Sequence, residues 1–368
     1  MINSIITKAA RKQFDRALKF DEGAVHDLPS CNDVRPRLLY IHIPFCEELC
    51  PYCSFHRVRL NEDLAFRYHA ALRLEMALYR QRGYRFTGLY AGGGTPTVLI
   101  GELAETLRLA RALFPIDSIS VETNPDHLTD ANIEILRQAG VNRLSVGVQT
   151  FDDGLLRQIA RYDKYGSGEE IAARLEQVSG KFDTLNADMI FNFPGQTSAM
   201  LEEDLDVLQK IKMQQITFYP LMVSSLTQGL MKEKMGEVNF RREKDFFKQI
   251  LRRLEADYDS SSAWCFSRKK TGSSLIDEYV VDFDEYAGLG SGAIGYVNGV
   301  CYANTFDIEG YIQELEQGRL PLEAARTFDF ADRIRYDFLM KLFSTRLNVR
   351  ELEEKYEGRF LKTLWQEM

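Results

Sequence analysis

Three cysteines stand close together in the first part of the chain, where Cys46, Cys50 and Cys53 are separated by three and then by two residues. Three thiolates at this spacing can bind three irons of a [4Fe-4S] cluster and leave the fourth iron open to another ligand. Thiolates also bind zinc, which takes four protein ligands or three and a water. His42 or His56 could complete such a site, so zinc stays the alternative. The spacing therefore predicts a metal centre held by these three thiols.

Glycines and polar residues that could surround a bound ligand recur after this segment. The glycine run Ala91–Pro96 contains Gly93, Gly94 and Thr95, and glycines let backbone N–H groups approach a ligand closely. The polar residues that follow successive apolar runs are Glu122, Gln149, Arg161 and Asp188. Taken singly, each of these four is better explained as a loop cap or a surface ion pair. Together they favour a binding site.

Short β-rich runs alternate with segments of helical periodicity from residue 38 onward. The β-rich runs are Leu38–Phe45, Gly88–Ala91, Ser118–Thr123, Arg143–Gln149, Leu185–Phe193 and Gln215–Leu221. The helical segments include Asp63–Arg82, Ile100–Phe114, Thr129–Ala139, Gly168–Ser179 and Met200–Ile211. This alternation predicts an α/β fold in which parallel strands form a partial (β/α)6 barrel, open on one side. Chemistry in such barrels lies on the loops after the strands, where the residues above fall.

The same pattern divides the chain into three parts. Residues 1–37 form an N-terminal extension, in which basic residues around an apolar stripe predict a short helix over Ile5–Phe20. A helix that packs on the protein with its charged face in solvent is the preferred explanation. Peripheral contact of this helix with a membrane surface stays an alternative. Residues 38–228 form the barrel. Residues 229–368 predict a second, α+β domain that covers its open side.

Charge and composition exclude several classes of function. The 368-residue chain has a net charge of -8 and a pI of about 5.4, which disfavours binding to nucleic acid. It has no run of about 18 apolar residues and no secretory signal at the N-terminus. The clustering of three of its six cysteines is typical of a metal site in a reducing compartment, so we expect a cytoplasmic protein.

The cysteine motif resembles that of the radical S-adenosylmethionine (SAM) superfamily. An aromatic residue, Tyr52, precedes the last cysteine, and the segment Tyr40–Phe45 before the first one resembles the oxygen-independent coproporphyrinogen III oxidase-like branch. The resemblance implies a [4Fe-4S] cluster whose open iron chelates the amino and carboxylate groups of SAM. Reduction of the cluster, by reduced flavodoxin or ferredoxin, then cleaves SAM to methionine and a 5'-deoxyadenosyl radical.

The resemblance extends over residues 38–225 and assigns roles to the residues above. The glycine run holds the methionine end of SAM. The residues implied to contact SAM, of which related enzymes bind two molecules, are Glu122, Gln149, Arg161 and Asp188. The aromatic residues implied to lie against the sulfonium and the adenine are Tyr40 and Tyr52. The C-terminal domain is expected to resemble that of the oxidases, with its glycine-rich segment Gly288–Gly295 closing the cavity.

Two departures from these relatives bear on the reaction. The oxidases carry a fourth cysteine where this chain has Phe55, and heme chaperones carry a heme-binding histidine segment, whereas the last histidine here is His127. The leading interpretation is therefore a class C methyltransferase, which uses two SAM molecules to methylate an sp2 carbon of an aromatic substrate such as the naphthoquinone ring of menaquinone. The alternatives are a coproporphyrinogen III oxidase or an anaerobilin-type heme ring-opening enzyme, both acting on a tetrapyrrole, and a heme chaperone.

Methylation of a ring carbon requires a base that removes the ring proton after radical addition. The residues whose chemistry suits this role are Tyr219, Glu285 and Cys265. Cys265 stands among apolar residues and is better explained as a buried structural thiol. The sequence carries no geometry that separates these three candidates.

Overall fold

The computed structural model describes residues 20–22, 27–224, 227–269 and 283–365. The helix predicted before residue 20 lies outside the described residues. Within them, no helix is both long enough and apolar enough to cross a membrane.

The strands belong to one large mixed sheet and one short ribbon. They are β1 (Asp21–Glu22), β2 (Leu38–Ile43), β3 (Phe45–Cys46), β4 (Val58–Arg59), β5 (Gly88–Gly93), β6 (Ser118–Thr123), β7 (Arg143–Gln149), β8 (Thr184–Phe191), β9 (Gln215–Pro220), β10 (Tyr258–Ser260), β11 (Cys265–Arg268), β12 (Tyr286–Leu289), β13 (Ile294–Val297), β14 (Val300–Asn304) and β15 (Leu322–Thr327). The ribbon consists of β3 and β4.

The helices lie mainly between the strands. They are α1 (Glu62–Gln81), α2 (Ile100–Leu113), α3 (Asp130–Gln138), α4 (Asp153–Gln158), α5 (Tyr162–Tyr165), α6 (Gly168–Val178), α7 (Ser198–Lys210), α8 (Gln228–Met235), α9 (Glu243–Leu254), α10 (Ile308–Glu316), α11 (Phe330–Phe343), α12 (Val349–Lys355) and α13 (Phe360–Trp365). Short 3-10 turns cover Pro96–Leu99 and Pro125–His127. Hydrogen bonds between neighbouring residues fix the N-terminus of α6, where Ser167 and Glu170 form a reciprocal capping box.

Six strands form the parallel core of the sheet in the order β2-β5-β6-β7-β8-β9. At least one helix connects each of these strands to the next, as the alternating pattern predicts. The predicted α/β fold with a partial barrel is confirmed. The strand ends differ little from the prediction: β2 and β8 end two residues earlier, and β5 continues two residues further to Gly93.

The C-terminal residues extend this sheet at both edges. β12 pairs in parallel with β2, and β13, β14, β15 and β1 follow it in antiparallel order. At the other edge, β11 pairs with β9 and β10 pairs with β11. The sheet therefore runs without interruption across the predicted domain boundary at residue 228, and that boundary stays a prediction.

A buried carboxyl group joins α1 to the C-terminal segment. Glu75 is fully buried. It accepts hydrogen bonds from the Gly290 N–H at 2.9 Å, the Asn304 amide at 2.9 Å and the Tyr311 hydroxyl at 2.6 Å. Burial raises the pKa of Glu75 to about 7, although these three donors lower it. Because the partners lie 215 to 236 residues further along the chain, no local pattern predicts this contact.

We expect Glu75→Gln to change how stability depends on pH. An acid whose pKa is higher in the folded state binds more protons when folded, so its contribution to the free energy of unfolding falls as the pH rises from about 4.5 to about 7. Relative to Glu75→Gln, the wild type should therefore lose about 1–3 kcal/mol over this window and stay level above it. Urea titrations at several pH values measure the difference, and a difference that is independent of pH would contradict the raised pKa.

Candidate functional site

The three cysteines lie at the end of the barrel that follows the carboxyl ends of the strands. Cys46 ends β3, and Cys50 and Cys53 occupy the loop between β3 and β4. Cys46 is buried, the other two are half-buried, and none of them forms a disulfide. All three line one cavity, whose volume is about 1170 Å³ when its open mouth is included.

The spacing of the sulfur atoms fits a cluster better than a single ion. Two thiolates on one zinc ion, each at about 2.3 Å, lie roughly 4 Å apart. The three sulfurs do not form a group within 4.8 Å of one another in the described part of the chain. Both ring nitrogens of His42 are engaged elsewhere, with the Tyr40 hydroxyl at 2.9 Å and the His56 carbonyl at 2.8 Å. His56 itself faces Ser291 at 3.2 Å, so the donor set fits a [4Fe-4S] cluster held by three thiolates.

Burial raises the pKa of these thiols, whereas nearby hydrogen-bond donors and positive charges lower it. Burial raises the pKa of Cys46 to about 11, and a hydrogen bond from the Thr95 hydroxyl, at 3.6 Å from the sulfur, opposes it in part. Burial also raises the pKa of Cys53, against the positive charge of Arg57. Thiols bind metals as thiolates, so a bound cation is needed to hold these groups deprotonated together at neutral pH.

The glycine run passes so close to the cysteines that a side chain would not fit. A Cβ atom on Gly94 would lie 2.8 Å from the Phe45 carbonyl oxygen and 3.0 Å from the sulfur of Cys46. Gly93 has a φ of 117°, a conformation that glycine adopts freely. Its N–H donates to Glu122 at 3.1 Å. The run therefore passes close beside the thiols, as its glycine content predicts, while the N–H groups of Gly94 and Thr95 donate to the Ile43 and Phe45 carbonyls.

Two carboxylates line the cavity from different strands. Glu122, near the end of β6, accepts a hydrogen bond from the Tyr90 hydroxyl at 2.6 Å, in addition to the glycine N–H. Asp188, on β8, accepts from the Ser145 hydroxyl at 2.8 Å and the Asn186 amide at 2.9 Å. These donors hold both carboxylates in place, and the remaining lone pairs can accept from the amino and hydroxyl groups of a ligand.

Arg161 places a positive charge in the wall of the cavity and is only 3% exposed. Its guanidinium donates to the Gly147 carbonyl at 2.5 Å and to Asn124 at 3.0 Å. It also lies 3.7 Å from the sulfur of Cys50 and 4.1 Å from the centre of the Tyr165 ring. Its Nε is buried and has no acceptor among the described residues. A buried cation of this kind favours negative charge in the cavity, such as a thiolate-bound cluster or a carboxylate.

Gln149 reaches the cavity through an irregularity at the end of β7. Its backbone is left-handed, with a φ of 75°, and the pairing of β7 with β8 shifts register between Gly147 and Gln149. The side-chain nitrogen of Gln149 would lie 3.1 Å from a Cβ atom at Gly147. Bulges of this kind redirect side chains next to binding sites, and here the bulge keeps Gln149 in the cavity wall.

Some of the remaining predicted residues line the cavity and others do not. Tyr52 and Tyr219 line the cavity. Tyr40 does not line it, and its hydroxyl is engaged by His42. Cys265 is fully buried and pairs with Thr217 between β11 and β9, away from the cavity wall.

Glu285 lies at the opposite end of the barrel. It precedes β12, which pairs in parallel with β2, so it is separated from the cysteine segment by the length of a strand, about 20 Å. Its carboxylate forms ion pairs with Arg37 at 2.6 Å and with Arg35 at 3.2 Å. Of the three candidate bases, the structure therefore brings only Tyr219 to the cavity.

Other residues of the cavity wall are not predicted by the sequence patterns, and the polar ones among them include Arg57, Asn124 and Tyr165. Arg57 and Asn124 each stand close in sequence to a predicted residue, which is the only local signal for them. The glycine-rich segment Gly288–Gly295 is not part of the described cavity wall. It packs behind the cysteine loop, where a Cβ atom on Gly290 would lie 2.4 Å from the His42 carbonyl oxygen. This corrects the expectation that the segment closes the cavity.

We expect Glu122→Gln to weaken SAM binding. The amide would keep one acceptor oxygen but place an NH2 group against the Tyr90 hydroxyl or the Gly93 N–H, both donors to the present carboxylate. Loss of a charged hydrogen-bond acceptor costs about 1.5–3 kcal/mol, so the Kd for SAM should rise about 10- to 100-fold. Equilibrium dialysis with the anaerobic, cluster-loaded protein measures it. The exposed Glu105 provides the matched control, Glu105→Gln, and equal effects in both variants would contradict a specific role.

Comparison with known proteins places this site in a family. Residues 40–208 match the radical SAM superfamily. Over 341 residues the chain is 30% identical to the heme chaperone HemW of Bacillus subtilis (strain 168), covering 89% of this chain and 88% of that protein. It is 27% identical to anaerobilin synthase of Escherichia coli O157:H7, covering 78% of this chain and 67% of the synthase. The solved structure of coproporphyrinogen III oxidase (HemN) from Escherichia coli matches with a TM-score of 0.77 at 23% identity, covering 89% of this chain and 80% of the oxidase.

The chain therefore belongs to the radical SAM superfamily. Within it, its relatives are proteins of the HemW and HemN type, and the likeness to the solved oxidase shows the same fold. The superfamily uses a [4Fe-4S] cluster and SAM, which confirms the two predicted cofactors. The narrower prediction of a class C methyltransferase acting on menaquinone finds no support in these relatives.

Proposed function

We propose that this protein is a radical SAM enzyme whose substrate is a tetrapyrrole. The observation that carries the proposal is the convergence on one cavity of three thiols, the glycine run and four polar residues from separate segments of the barrel. The relatives named above act on or carry heme and related tetrapyrroles by their names. Together these support the tetrapyrrole alternatives over the methyltransferase interpretation.

The residues of the cavity suit the binding of SAM beside a cluster. When bound, the cluster and SAM supply a strongly oxidising carbon radical, with the electron coming from a reduced flavodoxin or ferredoxin. The glycine run passes beside the thiols without side chains at Gly93 and Gly94, and Glu122 and Asp188 offer acceptors. Arg161 balances negative charge beside the thiolates. Each of these groups is held by hydrogen bonds within the protein, which positions it before the ligand arrives.

The mouth of the cavity suits a flat apolar substrate. Phe55 and Met222 line it and are 65% and 48% exposed, so together they present apolar surface at the mouth of the cavity. Tyr219 and Leu221 lie beside them in the same wall. A tetrapyrrole ring can cover this surface while its reacting carbon faces the SAM site. A catalytic role for Phe55 is excluded by its chemistry, so the position contributes contact area where the oxidases carry a fourth cysteine.

A carrier role without chemistry is the second candidate, because HemW is a heme chaperone by name. One observation disfavours it. Heme is commonly held by an axial histidine, and no histidine follows His127 in the 368-residue sequence. Ligation by a residue after His127 would have to use a cysteine, tyrosine or methionine, of which Tyr219 and Met222 lie in the cavity wall.

The test is anaerobic turnover of the reconstituted protein with dithionite and SAM, in parallel with coproporphyrinogen III, heme and menaquinone. Mass spectrometry measures 5'-deoxyadenosine, S-adenosylhomocysteine and the products. Deoxyadenosine with a converted tetrapyrrole and no S-adenosylhomocysteine is the expected result. Equal amounts of both SAM products with a methylated quinone would replace the proposal by the methyltransferase. Heme binding with no deoxyadenosine above the substrate-free rate would replace it by the carrier.

A further inference from the structure

We propose that Arg57 raises the reduction potential of the cluster by placing a second guanidinium group, besides that of Arg161, against the segment that holds Cys50. The proposal concerns the cluster, which the whole family uses, and does not depend on the identity of the substrate. Its failure is therefore distinguishable from failure of the tetrapyrrole proposal.

Arg57 lies against the segment that holds Cys50 and Cys53. Its side chain is half-buried in the cavity wall, and one terminal nitrogen donates to the Cys50 carbonyl oxygen. Its positive charge also acts to lower the pKa of the Cys53 thiol, which burial raises. Its Nε is buried and has no acceptor in the described part of the chain. The guanidinium therefore has one N–H donor beside the cysteine segment, at Nε, that has no acceptor among the described residues.

Arg161 approaches the same cysteine from another element. It precedes α5, and its guanidinium lies 3.7 Å from the sulfur of Cys50. Bonds to Gly147 and Asn124 and the ring of Tyr165 prevent it from moving away. Two cations from separate parts of the fold thus flank one cluster ligand.

Neither cation is neutralised by a carboxylate. Within the residues that the structure describes, no salt bridge involves Arg57 or Arg161. The carboxylates in the cavity wall are Glu48, Glu122 and Asp188. The last two are held by hydroxyl, amide and backbone donors rather than by these cations. Both positive charges therefore act on the thiolates.

Reduction adds one negative charge to a group already bound by three thiolates. A nearby positive charge stabilises the reduced form more than the oxidised form, and hydrogen bonds to the sulfurs act in the same direction. The reduction potential is set by these two factors together with solvent exposure. Removing Arg57 should therefore make the cluster harder to reduce, independently of whether any substrate is present.

The test is a redox titration of Arg57→Gln, followed by electron paramagnetic resonance of the reduced cluster, with iron and sulfide counted for each chain. At a fixed solution potential, the ratio of reduced to oxidised cluster should fall about tenfold. This fall corresponds to a decrease of about 59 mV in the reduction potential of a one-electron couple. The matched control is Arg59→Gln, which removes the same charge from an exposed side chain on β4, two residues away. We expect the control to keep the potential of the wild type.

A fully loaded Arg57→Gln protein with the wild-type potential would overturn the proposal. If that variant does not assemble a cluster, Arg57→Met decides, because methionine also removes the charge but keeps a long side chain in the cavity wall. A loaded Arg57→Met cluster with a lowered potential supports the proposal. The wild-type potential in that variant, or its failure to load a cluster, would overturn the proposal.

Discussion

Replacing Cys50 by alanine is expected to abolish the cluster and all SAM cleavage while the chain stays folded. Two remaining thiolates leave a second iron without a protein ligand, and the reduced cluster is the source of the electron that cleaves SAM. Cys50 is half-buried in a loop, so its truncation leaves no large hole in the core. Iron and sulfide content, visible absorption and 5'-deoxyadenosine formation measure the loss, which we expect to be complete.

The control for this prediction is Cys301→Ala. Cys301 is buried in β14 and is not part of the described cavity wall, so cluster content and SAM cleavage should match the wild type. Circular dichroism of both variants checks that they are folded. Full iron content and SAM cleavage in Cys50→Ala would show that other groups bind the cluster and would refute the assignment of the site.

Replacing Glu285 by alanine is expected to lower the free energy of unfolding by about 3–5 kcal/mol, the range for breaking a buried ion pair. Its partner Arg37 is fully buried, and their atoms lie 2.6 Å apart. Arg37 keeps a second partner, Asp33 at 2.7 Å, which places the expected loss at the lower end of that range. Urea unfolding measures the loss. SAM cleavage per folded molecule should stay unchanged, because Glu285 lies at the end of the barrel away from the cysteines.

The matched control is Glu309→Ala. Glu309 pairs with Arg67 at 2.8 Å, but both side chains are about half exposed, so water compensates for the lost partner and stability should change little. A folded Glu285→Ala protein that has lost turnover on its substrate, with its stability intact, would restore Glu285 as a catalytic base. The two variants together separate a structural carboxylate from a catalytic one.

The candidate metal site could be predicted from the sequence because its three cysteines are close together along the chain. Cys46, Cys50 and Cys53 lie within eight residues. A loop of that length keeps its three thiols close together in space, independently of contacts with distant segments. The barrel was predictable for a related reason. Strand and helix periods repeat over residues 38–221, and parallel strands joined by helices have few arrangements open to them. The positions of Glu122, Gln149 and Asp188 followed from that topology.

The errors have a common physical origin. Glu285 and Cys265 were candidates by chemistry alone, and only the sheet order shows that Glu285 precedes β12 at the far end of the barrel and that Cys265 is enclosed between strands. The glycine-rich segment Gly288–Gly295 was assigned to the cavity by resemblance. Its position behind the cysteine loop depends on Glu75 and Tyr68, which lie more than two hundred residues earlier in the chain.

The superfamily, the candidate cluster ligands and the parallel barrel can be inferred from the sequence, since each depends on spacing or on a repeating period. Only the folded chain shows which polar residues share the cavity, which cations lie against the three thiols and which carboxylate belongs to a buried ion pair. These depend on contacts between segments far apart in the chain, such as Arg57 and Arg161 around Cys50. Side chains of the same type are chemically alike in sequence, and burial and neighbours give them different roles.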